Sequence, residues 1–147
     1  MSIGYKVTEV TTGGLDVTTT SAPPIVLSTT GVDINIDERA SLTVNIFLFT
    51  PTGDPRDITD YDITWNATLN GDVMITKSTA AGSIVLADPI DGVINEFSMT
   101  FLPADTPLPD TKTYGTPMIY YHEGRLTHSS QAWIGIRGRM FIMPSQT

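Results

Sequence analysis

Apolar and polar residues alternate through much of this chain, and the alternation has the period of a strand. Leu42, Val44, Ile46 and Leu48 are apolar, with Thr43, Asn45, Phe47 and Phe49 between them. Period two puts the even residues on one face of an extended segment. Phe47 and Phe49 make the odd face partly apolar as well. A cleaner one-sided strand follows, in which Ile63, Trp65, Ala67 and Leu69 alternate with Asp62, Thr64, Asn66 and Thr68. Asn70–Gly71 comes next, then an apolar run from Val73 to Lys77. Asn-Gly between two such runs predicts a tight hairpin, because both turn positions need positive φ. Ile84–Ala87 predicts a short strand closed by the turn sequence DPIDG, and Val93–Phe101 a longer one with Phe97, Met99 and Phe101 on one face.

The prolines of LPADTPLPD then break the pattern and leave room for one helical turn around Ala104–Asp105. Met118–His122 predicts a strand, HEGRLTH a turn, and Trp133–Ile142 a closing strand with Ile134, Ile136, Met140 and Ile142 alternating against Arg137, Arg139 and Phe141. Seven or eight short strands at this spacing predict an all-β sandwich or barrel. Nothing shows the strand–helix alternation of a parallel sheet, and no fixed-length repeat is present.

Residues 1–32 differ in composition. TTGGLDVTTTSAPPIVLSTTG is rich in Thr, Gly and Pro, with scattered apolar residues. Thr favours extended backbone, and Pro23–Pro24 excludes a helix. This zone is predicted to be an extended N-terminal arm with one or two short strands, leaving residues 33–147 as the sandwich domain. Ordering backbone costs about 1–2 kcal/mol per residue, so such an arm needs a surface to lie on, either its own domain or a neighbouring subunit. A neighbour in an assembly is the favoured surface, and Leu15, Val17, Ile25, Val26 and Leu27 are the candidate partner contacts.

Composition narrows the class of partner. At 147 residues the chain is long enough for one real core. The 16 acidic residues against 8 basic give a formal charge of −8, which argues against nucleic acid and against an anionic membrane surface. There is no cysteine, hence no disulfide and no thiolate site. The N-terminus, MSIGYKVTEV, lacks the apolar core of a secretion signal, so the protein is expected to act where it is made, or to leave by another route.

The candidate chemistry is sparse. Asp54, Asp57, Asp60 and Asp62 could hold calcium through carboxylate oxygens, but their spacing suits turns, as does that of Asp88 and Asp91. His122 and His128 bracket the predicted turn; zinc generally wants three or four ligands, and Glu123 is the one carboxylate near them. Ser129 and Ser130 follow His128 with no surrounding nucleophile motif, and Glu96 falls on the polar register of its strand. Asn66–Ala67–Thr68 matches a glycosylation sequon by chance. Trp65, Trp133, Tyr120, Tyr121, Phe97 and Phe101 either line a sugar-binding face or fill the core, and the core is the default. Arg137 and Arg139 share one side and are expected to pair with aspartates of their own sheet. No catalytic, cofactor-binding or metal-ligating set is therefore predicted.

One series of turns and core positions has a family look. It starts at Ile36-Asp37-Glu38-Arg39, passes the Pro51-Thr52-Gly53 turn, and continues through Asp57-Ile58-Thr59 into the strand with Ile63 and Trp65. Leu102-Pro103-Ala104-Asp105-Thr106, Leu108-Pro109 and Tyr114 follow, and Ile136-Arg137-Gly138-Arg139-Met140-Phe141-Ile142 closes the series before Pro144. Over about residues 33–144 this resembles the small immunoglobulin-like β-sandwich domains of tailed-bacteriophage structural proteins, among them the N-terminal domain of upper-baseplate proteins that anchor receptor-binding fibres. The resemblance implies a non-enzymatic virion protein without cofactor, assembled in the host cytoplasm. Its partners would be other virion proteins, in a multi-copy or homo-oligomeric arrangement at the tail, baseplate or neck. A capsid decoration or cement protein on the head exterior and a carbohydrate-binding adhesion module remain the alternatives.

Overall fold

The computed structural model describes residues 2–9, 15–20, 25–28, 31–50, 52–129 and 131–145, with side chains for 2–7, 31–50, 52–129, 132 and 136–145. The strands are β1 (Ser2–Glu9), β2 (Leu15–Thr20), β3 (Ile25–Ser28), β4 (Ile34–Asp37), β5 (Leu42–Phe49), β6 (Asp62–Leu69), β7 (Asp72–Ser78), β8 (Ile84–Leu86), β9 (Glu96–Phe101), β10 (Met118–His128) and β11 (Gln131–Met143). They form a six-stranded sheet in the order β3-β2-β1-β5-β9-β8 and a five-stranded sheet in the order β4-β11-β10-β6-β7. The fold is an all-β sandwich, and eight of these strands, β4 to β11, lie beyond residue 33.

The core is the set of inward positions that the alternation marks. Leu42, Val44, Ile46 and Leu48 of β5 are buried, as are Phe97, Met99 and Phe101 of β9 on the same sheet. Ile63, Trp65 and Ala67 of β6 and Ile136, Met140 and Ile142 of β11 face them from the other sheet. The Trp65 indole lies edge-on to the Phe101 ring, with centroids 5.3 Å apart, a favoured arrangement for two aromatic quadrupoles. Asn70 (φ 53°) and Gly71 (φ 85°) form the predicted hairpin turn between β6 and β7. Asp91 (φ 51°) and Gly92 (φ 79°) do the same inside DPIDG, where Ile90 bridges Val93. The helical turn is a 3-10 turn, Pro103–Asp105.

Two features depart from the sequence reading. The turn predicted over HEGRLTH is strand: β10 runs unbroken from Met118 to His128 because Tyr120, His122, Gly124 and Leu126 continue one buried face. The arm is not wholly outside the domain either. β1 pairs in parallel with β5, from Ser2↔Thr43 to Thr8↔Phe49, and Tyr5 and Val7 are buried in the core. β2 then pairs antiparallel with β1, and β3 with β2, so the arm's strands carry the larger sheet outward.

The chain passes from the larger sheet to the smaller at Gly31–Asp33. Val32 is fully buried, and its N–H donates to the Arg137 carbonyl at 2.8 Å. Two glycines make this approach possible. A Cβ on Gly31 would lie 2.2 Å from the Arg137 carbonyl oxygen, and one on Gly138 only 2.0 Å from that of Val32.

Candidate interaction surface

The residues with chemical potential are committed to holding the sandwich. His122 is buried in β10. Its Nδ1 accepts the Trp65 indole N–H at 3.1 Å, and its Nε2 lies 2.6 Å from the Val32 carbonyl. That pairing fixes the tautomer: Nδ1 is the acceptor, so Nε2 carries the proton and donates it. Burial disfavours the imidazolium and pushes the pKa down to about 4, against a small opposing pull from the Val32 carbonyl and Asp33. His128 sits six residues along the same strand, about 20 Å away at strand rise, stacked on Tyr61 with centroids 4.9 Å apart. The two histidines therefore do not converge.

Several of the carboxylates are similarly occupied. Asp57 accepts the Thr59 hydroxyl at 2.6 Å, the Thr59 N–H at 3.1 Å and the Ile94 N–H at 3.2 Å, which together lower its pKa. Asp54 accepts the Thr52 hydroxyl, and Asp60 turns the chain at φ 66°. Among the described residues, no group of three His, Asp or Glu side chains gathers to hold a metal. Glu38 is buried beneath the loop that contains Leu108. The Leu108 N–H, the Lys112 ammonium and the Ser145 N–H all donate to its carboxylate and hold its pKa down at about 2. Lys77 is buried and pairs with Asp105 at 2.7 Å. Burial pushes the Asp105 carboxyl up, and the Leu102 N–H and Lys77 outweigh it, so its pKa is lowered. Ser130 lies outside the described residues, and Glu96 is half-buried on β9 with no acid–base partner beside it among the described residues.

Trp65, Tyr120, Phe97 and Phe101 are buried in the core, where no sugar ring reaches them; Tyr121 is 61% exposed. The Trp133 side chain lies outside the described residues. Arg139 pairs with Asp33 at 3.4 Å and Arg137 approaches Glu123 at 4.0 Å, so the two guanidiniums are used on their own sheet, one on the expected aspartate and one on a glutamate.

What the sandwich offers outward is edge and apolar surface. β3 and β8 border the larger sheet, β4 and β7 the smaller. Val73 and Met74 on β7 and Val85 on β8 are exposed. Ile119, Tyr121 and Met143 are exposed on the outer side of β10 and β11. The candidate contacts Leu15 and Val17 fall on β2, and Ile25, Val26 and Leu27 on β3, so backbone pairing places all five on the outer two strands of the larger sheet. Their side chains lie outside the described residues. The sequence reading passed over β4. Its alternation of Val32, Ile34 and Ile36 with Asp33, Asn35 and Asp37 is visible in the chain, but an edge position can be read only from pairing.

No protein-family model matches this chain, and no curated protein matches it. Among solved structures it is similar to the N-terminal domain of phage TP901-1 ORF48, at 8% identity and a TM-score of 0.41, over 99% of this chain and 100% of that one. At that level of similarity, partners and activity have to be argued from the chain's own residues.

Proposed function

We propose that this chain is a non-enzymatic structural protein of a tailed-phage particle, docked through its sandwich and its N-terminal strands. The observation that carries the reading is the use of residues 2–28. Their described parts build three strands onto one side of a sheet, ending in β3, whose outer edge is unpaired among the described residues, and such an edge is a template for a strand from another chain. The commitment of the histidines and of the best-bonded carboxylates to structural bonds supports the absence of catalysis.

Strand order supports the immunoglobulin-like part of the resemblance. β5-β9-β8 and β11-β10-β6-β7 follow the B-E-D and G-F-C-C′ neighbourhoods of such domains. The tail, baseplate or neck is the favoured position, on the sequence resemblance to baseplate domains, with the head exterior as the alternative. Carbohydrate binding is disfavoured by the four aromatics buried in the core.

The experiment is a replacement of residues 13–28 by a Gly-Ser linker, which keeps β1 and its core residues. The variant should fold and fail to enter particles. Incorporation at the parental level would overturn the assembly role of β2 and β3.

A further inference from the structure

β4 is four residues long and, among the described residues, is bonded on one side only, in parallel to β11. The bonds that flank it set the phase: Val32 N–H donates to the Arg137 carbonyl and Glu38 N–H to the Met143 carbonyl, each at 2.8 Å. Even-numbered residues therefore face β11, and the N–H and C=O groups of the odd residues point away from it. Two of those outward groups are satisfied within the chain. The Tyr5 hydroxyl donates to the Asp33 carbonyl, and the Ala40 N–H donates to the Asp37 carbonyl. The N–H and C=O of Asn35 and the N–H of Asp37 have no hydrogen bond among the described residues. They form three consecutive sites of a strand edge.

A groove of about 340 Å³ runs beside this edge, from the outer face of the smaller sheet to the turn into β5. Ile36, Ala40, Leu42, Pro117, Phe141 and Met143 give it a mainly apolar wall. Asp37 is exposed on its rim and makes no ion pair among the described residues. The neighbouring cations are engaged elsewhere: Arg139 is held by Asp33 and Lys112 by Glu38. Arg39, exposed on the turn after Asp37, is in no ion pair with it.

We infer that the β4 edge and its groove take up an extended segment of a different, basic protein. The segment adds a strand beside β4, bonds to Asn35 and Asp37, seats an apolar side chain against Phe141 and Met143, and sets a Lys or Arg against the Asp37 carboxylate. Main-chain bonds supply affinity in this mode, and the groove and the charge supply selectivity. A second copy is the poorer occupant, because each copy carries a formal charge of −8 and repels its like. The inference stands on the β4 geometry and does not need the particle assignment.

The test uses the full chain and two end-capped, fluorescein-labelled heptapeptides of alternating Leu and Thr. One carries a single Lys at a Thr position, the other Glu there, and binding is read by fluorescence polarisation. The Lys peptide should bind about fivefold or more tightly than the Glu peptide, the size of one solvent-exposed charge contact. Asn35→Pro removes an N–H that points away from β11, a position where an edge strand tolerates proline. It should weaken binding about tenfold while melting stays near that of the parent. Asp37→Lys should reverse the preference between the two peptides. If Asn35→Pro fails to fold, Ala40→Phe, which fills the groove from a half-buried position, takes its place and should weaken binding likewise. Equal binding of both peptides, binding of neither, or parental binding by the variants would overturn the inference. So would a dimer of the parent in sedimentation that Asn35→Pro abolishes, because it would make the occupant a second copy.

Discussion

Gly138→Ala is the substitution on which the crossing at Gly31–Asp33 makes its strongest demand. An ideal Cβ at this position lies 2.0 Å from the Val32 carbonyl oxygen, 2.7 Å from its carbon and 2.8 Å from its nitrogen. All three atoms are backbone, so no side-chain rotation relieves the clash. Two responses are open. The segment can shift in place, at the 1–3 kcal/mol typical of overpacking. Or Val32 can leave the core, which forfeits about 1.5–3 kcal/mol of apolar burial and strands the His122 Nε2–H at a further 1–3 kcal/mol or so. Sideways movement is restricted because Gly31 is itself pressed against the Arg137 carbonyl. That places the cost at the upper end of the first route, where it meets the lower end of the second, at about 3 kcal/mol. For a chain of this size, 1 kcal/mol corresponds to roughly 2–4 °C in Tm, so calorimetry at neutral pH should show a fall of roughly 6–12 °C. Gly82→Ala is the control, since its φ is 78° but its Cβ would meet open space; it should lose only about 1–2 kcal/mol. A Gly138→Ala protein that melts within about 2 °C of the parent would refute the packing argument.

Stability should fall between neutral pH and pH 4. His122 is neutral in the fold, with a pKa of about 4 against 6.5 when unfolded. Its contribution is therefore fully present above pH 6.5 and is lost as the pH drops toward 4, worth about 3 kcal/mol over that window. Urea unfolding across the range should show the slope in the parent and a much smaller one in His122→Gln. Glu38 extends the loss below pH 4.5 and down to about pH 2, because protonation cancels its bonds to Leu108 and Lys112. Gly71→Ala, at φ 85° in the β6–β7 turn, should cost about 1–2 kcal/mol in the same assay. Millimolar calcium should leave Tm unchanged, because Asp57 is already satisfied by Thr59 and Ile94; a rise of several degrees would mean that the acidic loop binds the ion.

Local pattern made the strands legible wherever both faces of the period were unambiguous. β5, β6 and β9 follow directly from their alternation, and the Asn70–Gly71 turn follows from its dihedral demand. β10 was cut short in the sequence because Gly124 and His122 read as turn or polar residues. In the fold, His122 is buried only because Trp65 and the Val32 carbonyl satisfy both ring nitrogens, and such long-range partners leave no local mark. The sequence reading allowed one or two short strands in the arm but did not place β1 in the core, for a related reason. Ile3, Tyr5 and Val7 do alternate, but the segment is short and its partner β5 begins some 40 residues away. The open side of β4 is likewise a property of pairing. The structural bonds on Asp57, Glu38 and His122 were not legible either, because Ile94, Leu108 and Trp65 lie 37, 70 and 57 residues away from them in the chain.

The central claim is that this sandwich serves assembly, with its N-terminal strands as part of the docking surface. The most direct measurement is quantitative immunoblotting of gradient-purified particles from the infected host for this chain, in parental form and with residues 13–28 replaced. The account predicts that the parental protein co-sediments with particles in a fixed copy number and that the replaced form stays in the soluble fraction. Parental protein found only free of particles, or both forms bound alike, would contradict it.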